Sequence, residues 1–239
     1  MIVSGLNAAA ILKNLKEHGN KEKALALQRF FKTAPGQYGE GDVFAGIRVP
    51  EIRKLAKQYH MLPISEIAGL LRSPVHEARM LALLILVGAY AKGDSCLQNE
   101  IYNFYLRNTR HINNWDLVDV SAEHIVGAHL RFDDRTPIHA LATSDLVWDR
   151  RISIMATFHY IKRGEFAETL RLAKMLLLDG EDLIHKAVGW MLREIGKRDQ
   201  NVEELFLRSC YRYMPRTMLR YSIERFPEEL RQLYLRGKV

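Results

Sequence analysis

Trp115 and Asp119 stand four residues apart in the run Asn113-Asn114-Trp115-Asp116-Leu117-Val118-Asp119. On a helix that spacing puts an indole and a carboxylate on one face. An aromatic plate beside an anion suits a flat cationic ligand, because the ring face and the carboxylate both attract positive charge. The same pair is equally consistent with simple packing on a helix face. Asp116 sits beside it, but about 100° around the helix from Trp115, which suits a solvated or structural carboxylate.

The elements that must position this pair are helical. Apolar residues recur at three and four along the chain, and no stretch alternates convincingly over six residues or carries a hairpin signal. The segments Leu6 to His18 and Lys21 to Lys32 read as an opening helix pair. Thr33 to Arg48 reads as a loop broken by Gly36, Gly39, Gly41 and Gly46, and Pro50 then opens another helix. The glycines of that loop suggest a phosphate cradle. No strand precedes them and no Gly-Lys-Ser/Thr follows, so a structural turn is expected.

Beyond Pro63 an internal period appears. Val75-His76-Glu77-Ala78-Arg79, Val147-Trp148-Asp149-Arg150-Arg151 and Asp182-Leu183-Ile184-His185-Lys186 each read as a helix start. Arg79, Trp115, Arg151 and Lys186 are spaced 36, 36 and 35 residues. That length fits one antiparallel helix pair, so the chain is expected to be an all-α, HEAT-like solenoid forming one domain over residues 1–239. One turn further along, the row reads Leu83, Asp119, Met155 and Trp190. Facing a concave side, the two rows make a basic groove with one acid flanked by indoles. Facing the interior, they make core and a satisfied buried carboxylate. Trp148 reads as a residue of the repeat core.

Composition bounds the partners. The chain has 239 residues, 48% hydrophobic and 26% charged, as in soluble globular proteins. Its formal net charge is +7. Eight basic and only three acidic residues lie between Phe206 and Val239, with Arg208, Arg212, Arg216 and Arg220 recurring every four. Pro215 is expected to divide these four between two helices. Such a strip is either a clamp for a polyanion or a solvated face. Two cysteines, Cys96 and Cys210, form no framework, and no Cys/His spacing suits a metal. The first residues lack the pattern of a signal peptide, and the longest apolar run, Leu81 to Ala91, is too short to span a bilayer. A cytoplasmic protein in a reducing compartment is expected.

The runs Asn114–Asp119, Trp148–Arg151 and Lys186-Ala187-Val188-Gly189-Trp190-Met191-Leu192-Arg193-Glu194 together resemble the AlkD-type DNA alkylation repair family. The segments Gly39 to Pro50 and Pro215 to Phe226 are similar to it as well. The resemblance covers nearly the whole chain. It implies a HEAT-like protein acting as a monofunctional DNA glycosylase on N3- and N7-alkylated purines such as 3-methyladenine and 7-methylguanine. It further implies Asp119 as the catalytic carboxylate, Trp115 and Trp190 as contacts to the lesion nucleotide, and Arg151 at the DNA backbone. Lys186 and Arg79 are further electrostatic candidates. Phe30 stands where the family carries a tyrosine. The expected partner is duplex DNA containing alkylated purines, with no membrane, metal or cofactor, and with the protein acting as a monomer that joins the nucleoid when bound to DNA. The rival readings are a non-enzymatic HEAT-like protein recognising bent, branched or damaged DNA, and a protein-binding scaffold.

Overall fold

Asparagine and aspartate side chains start several of the helices that make up this chain. Asn7, Asn20, Asp94 and Asp199 each accept a backbone N–H from the first turn that follows, satisfying donors that no helical carbonyl can reach. The structure, a computed structural model, describes residues 7–239. Leu6, where the first helix was expected to begin, lies outside the described residues, as does the segment Met1 to Leu6 that was read against a signal peptide. Among the described residues there is no strand, only an isolated bridge between Val43 and Val75, and no helix long and apolar enough to cross a membrane.

The chain divides into two compact units, residues 1–121 and 122–239. The first holds helices Ala8–Glu17, Lys21–Phe30, Val49–Gln58, Ile64–Leu71, His76–Lys92, Ser95–Arg107 and the short Trp115–Asp119. Residues 31–48 contain no helix, and Pro50 lies in the first turn of Val49–Gln58 as expected. His76–Lys92 is the centre of this unit. It is buried without a break from His76 to Leu86, packed by Val49–Gln58, Ile64–Leu71 and Ser95–Arg107. That explains why its sequence is apolar all round rather than along one stripe.

The second unit begins with a π-helical turn, Glu123–Gly127, and continues through Thr136–Ala142, Val147–Ala156, Phe158–Ile161, Ala167–Met175, Asp182–Gly196, Gln200–Cys210, Arg216–Ser222 and Glu228–Leu235. Asp182–Gly196 is its central helix, packed against Val147–Ala156, Ala167–Met175, Gln200–Cys210 and Arg216–Ser222. The helices starting at His76, Val147 and Asp182 match the three repeat starts legible in the sequence. Of the two rows, Arg79, Leu83, Arg151 and Met155 are buried while Trp115, Asp119, Lys186 and Trp190 are half-buried, and Trp148 is buried. Pro215 does separate Arg208 from Arg216 and Arg220, which lie on two helices.

Close helix packing accounts for one conspicuous glycine. A Cβ on Gly189 would lie 2.5 Å from the Met218 carbonyl oxygen and 2.5 Å from the Tyr221 Cβ, so Asp182–Gly196 and Arg216–Ser222 approach as closely as they do only because position 189 has no side chain. Gly189→Ala is expected to lower stability by about 1–3 kcal/mol in urea denaturation, whereas Gly180→Ala, at a position with open space, should not.

Glu203 sets up a pH dependence in the same unit. It is buried, its Oε1 has no hydrogen-bond partner, and burial pushes its carboxyl up to about 8 against the opposing charge of Arg193. A carboxyl whose folded pKa exceeds its unfolded value favours folding while protonated and penalises it as pH rises toward the folded value. Glu203→Gln should therefore be increasingly more stable than the parent as pH is raised from about 5 to about 8, measured as the difference in urea midpoints.

Candidate active site

The helix Trp115–Asp119 is only five residues long, too short to persist on its own propensity. Its position comes from tertiary ties at both ends. Asn114, fully buried at its N-cap, accepts the Trp115 N–H at 2.8 Å and donates its Nδ2 to Asp42 Oδ2 at 3.1 Å. Just beyond the last turn, Ser121 donates to the Leu117 carbonyl at 2.6 Å and shares a 2.9 Å hydrogen bond with the Tyr105 hydroxyl.

Asp42 is the hub of the N-terminal tie. Besides Asn114 it accepts from Arg79 Nη2 at 2.6 Å and from His76 Nδ1 at 3.0 Å. The other imidazole nitrogen, Nε2, lies 2.8 Å from Asp116 Oδ2. One histidine therefore links two carboxylates, and the second carboxylate sits on the helix that carries Trp115 and Asp119. The backbone fixes the hub in place: Val43 donates to the Pro74 carbonyl at 3.0 Å and His76 to the Val43 carbonyl at 2.8 Å. Burial pushes the Asp42 carboxyl up, but the His76 hydrogen bond, the Arg79 charge and the Asn114 amide outweigh it, and its pKa falls below 3.8. Burial likewise pushes His76 down, and its hydrogen bonds to Asp116 and Asp42 outweigh that, holding it above 6.5.

The glycine loop leading to this hub is a structural turn. The backbone N–H groups of Ala45, Gly46 and Ile47 all point to one carboxylate, that of Glu77, at 2.8, 2.8 and 3.2 Å. This is an anion nest already filled by the protein's own side chain. Gly46 is required there, with φ at +83° and a Cβ position only 2.2 Å from the Asn20 carbonyl.

Trp115 and Asp119 are both half-buried at the two ends of their helix. Phe31, buried, stacks on the Trp115 ring with centroids 5.3 Å apart and planes 19° apart. Phe30, 64% exposed, meets the same indole edge-on at 6.1 Å. Phe30 is thus brought to Trp115, and Phe31, which the sequence reading did not single out, holds the indole's orientation.

In the second unit, Trp190 and Lys186 lie on helix Asp182–Gly196, and Arg151 on Val147–Ala156 donates to the Leu183 carbonyl of that same helix at 2.7 Å. Arg151 is buried. Trp190 is half-buried, donates its indole N–H to Glu194 Oε1 at 3.2 Å, and meets the Phe158 ring at 6.0 Å. Lys186 pairs with Asp182 at 2.7 Å.

Arg79 differs from its sequence expectation as a cation offered to DNA. It is buried, and its guanidinium is committed to Asp42 and to the Ser73 carbonyl, so a phosphate would have to displace an internal ion pair. In the basic C-terminal segment, Arg208 pairs with Glu204, Arg231 with Glu228, and Arg216 donates to the Leu235 carbonyl. Those three are engaged locally. Among the described residues no group of three His, Cys, Asp or Glu side chains is placed to hold a metal ion.

Removing the hub leaves three donors without their acceptor. Asp42→Ala is expected to cost about 3–5 kcal/mol, the range for breaking a buried ion pair from one side, by urea denaturation. His76 adds a pH signature. Its raised folded pKa gives a contribution that is complete below about 6.5 and is lost as pH rises through the folded value. The lowered Asp42 pKa acts oppositely, its contribution being lost only as pH falls below 3.8. His76→Asn should therefore flatten the stability profile on the alkaline side of about 6.5.

The model of the family described as "DNA alkylation repair enzyme" matches residues 11–226. No curated protein matches the chain. Among solved structures, the chain is similar to one titled "Predicted DNA alkylation repair enzyme from Enterococcus faecalis", at 18% identity and a TM-score of 0.68, over 88% of this chain and 97% of that one. At that identity the likeness concerns the fold.

Proposed function

We propose that this chain, which belongs to the DNA alkylation repair enzyme family, is a monofunctional glycosylase that hydrolyses the N-glycosidic bond of N3- and N7-alkylated purines in duplex DNA. The observation that carries the reading is the half-buried Trp115–Asp119 pair on a short helix held at both ends by buried hydrogen bonds. A carboxylate held in place without its own flexible loop is what electrostatic catalysis requires.

The chemistry is compatible with so few groups. Alkylation at N3 or N7 makes the purine a cation, and it departs as a neutral base, so no strong general acid is needed. Positive charge then develops on the deoxyribose. The Asp119 carboxylate stabilises that charge and orients or deprotonates the attacking water. The face of Trp115 attracts the cationic sugar or lesion, contributing about 0.5–2 kcal/mol, and the family resemblance gives Trp190, in the second unit, a lesion contact of its own. Lys186 takes the DNA backbone, where charge positions the duplex without reading sequence, while Arg151, buried and donating to the Leu183 carbonyl, positions the helix that carries Lys186 and Trp190. Phe30 adds an apolar edge beside Trp115 and lacks the hydroxyl that a tyrosine would offer. Water is the only co-reactant, and the protein acts as a monomer on DNA in the cytoplasm.

Release of 3-methyladenine and 7-methylguanine from methylated duplex DNA tests this. Wild type should release both bases. Asp119→Asn should lower the single-turnover rate by about 100-fold or more, on the scale of losing one electrostatic stabiliser, while salt-dependent duplex binding persists. Wild-type binding without release would support a DNA-binding protein instead.

A further inference from the structure

At the end of helix His76–Lys92 away from the Asp42 hub, a groove of about 830 Å³ runs between that helix and Val49–Gln58. Gly88 in its lining lies twelve residues beyond His76, about 18 Å along the helix axis. No residue of the tie that holds Trp115 and Asp119 lines it. Its body is aliphatic. Leu84, Ile85 and Ala56 are buried, Val87 and Leu97 half-buried, and Met61 joins them although it is 80% exposed. This size and this balance, an apolar body with a few polar groups, are those of small-molecule sites.

Three features define the ligand. The first is charge. Every ionisable side chain in the lining is basic: Arg53, Lys57, His60 and Lys92, all of them exposed. Arg53 and Lys57 stand one turn apart on Val49–Gln58 and so share a face, while Lys92 comes from the facing helix. Among the described residues none of these three cations has an ion-pair partner. Asp94, close to Lys92 in sequence, is outside the lining and caps the next helix, accepting the Leu97 N–H at 2.9 Å. The groove therefore selects an anion. The second feature is the wall itself. Apart from the His60 imidazole it contains no ring, so it lacks the stacking platforms on which nucleic-acid bases sit; aliphatic side chains match an aliphatic ligand. The third is access. A Cβ on Gly88 would meet no atom of a neighbouring element within 4 Å, so a ligand can lie directly against the backbone there.

We propose that this groove binds a single-chain amphipathic anion, an alkyl carboxylate, with its chain along the Leu84, Ile85 and Leu97 wall and its head group paired with the Arg53, Lys57 and Lys92 cations. The chain gains by leaving water, and the carboxylate gains charge-assisted hydrogen bonds from exposed donors that the protein leaves unpaired. A neutral chain would leave those cations unmatched, and a phosphate polymer would leave the aliphatic wall uncovered. The site is separate from the proposed glycosylase centre and does not depend on it.

The probe is decanoate, titrated calorimetrically into the full chain at low ionic strength and neutral pH, below its micelle-forming concentration. Saturable one-to-one binding is expected. 1-Decanol, the neutral molecule of the same chain length, should bind at least tenfold more weakly, and acetate, the head group without the chain, should not bind. Gly88→Trp, which puts a side chain into the open space of the groove, should abolish decanoate binding. The double variant Arg53→Glu with Lys57→Glu should weaken it at least tenfold, and it decides the matter should Gly88→Trp alter the thermal melt. Lys54→Glu, an exposed change on the same helix outside this lining, should change the affinity less than twofold, which separates the groove's own charge from the net charge of the chain. Absence of saturable binding, equal affinity for decanoate and 1-decanol, or an effect of Lys54→Glu as large as that of the double variant would each overturn the proposal. So would co-sedimentation with phosphatidylglycerol vesicles in the absence of decanoate binding, which would make the basic face a membrane contact. Release of 7-methylguanine by the same preparation is read separately, so failure of one reading leaves the other standing.

Discussion

The carboxylate of Asp42 is the interaction on which the rest of the first unit's functional face depends. It is buried, and it gathers an arginine and a histidine from one helix and an asparagine from another segment of the chain. An isolated carboxylate at that depth would be prohibitively desolvated. With Arg79 at 2.6 Å and two further donors it remains ionised. A buried ion pair of this kind is weak evidence for added stability, because desolvation offsets much of its attraction. Its consequence here is geometric. It fixes where the five-residue helix begins, and thereby where an indole and a carboxylate one turn apart are held.

His76 passes the hub's order to Asp116, which lies on the Trp115 helix. Phe31 plays a parallel part among the apolar groups, stacked on Trp115. The glycine loop is what allows the hub to exist. Glu77 fills its nest of N–H groups, and the Val43–Val75 bridge sets Asp42 beside His76.

The helical class and the starts at His76, Val147 and Asp182 were legible because a 3.6-residue period and a 35- to 36-residue repeat both survive in the sequence. The glycine loop and Pro50 were legible through backbone chemistry alone. The Trp115–Asp119 pair was visible because four-residue spacing maps directly onto a helix face. The Asp42–His76–Asp116 chain was not, since its members lie 34 and 40 residues apart and only tertiary structure brings them together. Arg79, an electrostatic candidate from its place in the repeat, lies inside and is paired with Asp42, which only tertiary structure reveals. Phe31 was hidden beside Phe30 in an aromatic doublet whose two members point to different environments, one buried and one exposed.

The central claim concerns which bond breaks. Mass-spectrometric analysis of both products after incubation with duplex DNA carrying 7-methylguanine addresses it most directly. Hydrolysis of the glycosidic bond predicts free 7-methylguanine and one abasic site for each base released, with the phosphodiester backbone intact. Recovery of unmodified guanine within intact DNA would mean that the alkyl group, and not the base, had been removed, and would contradict the account.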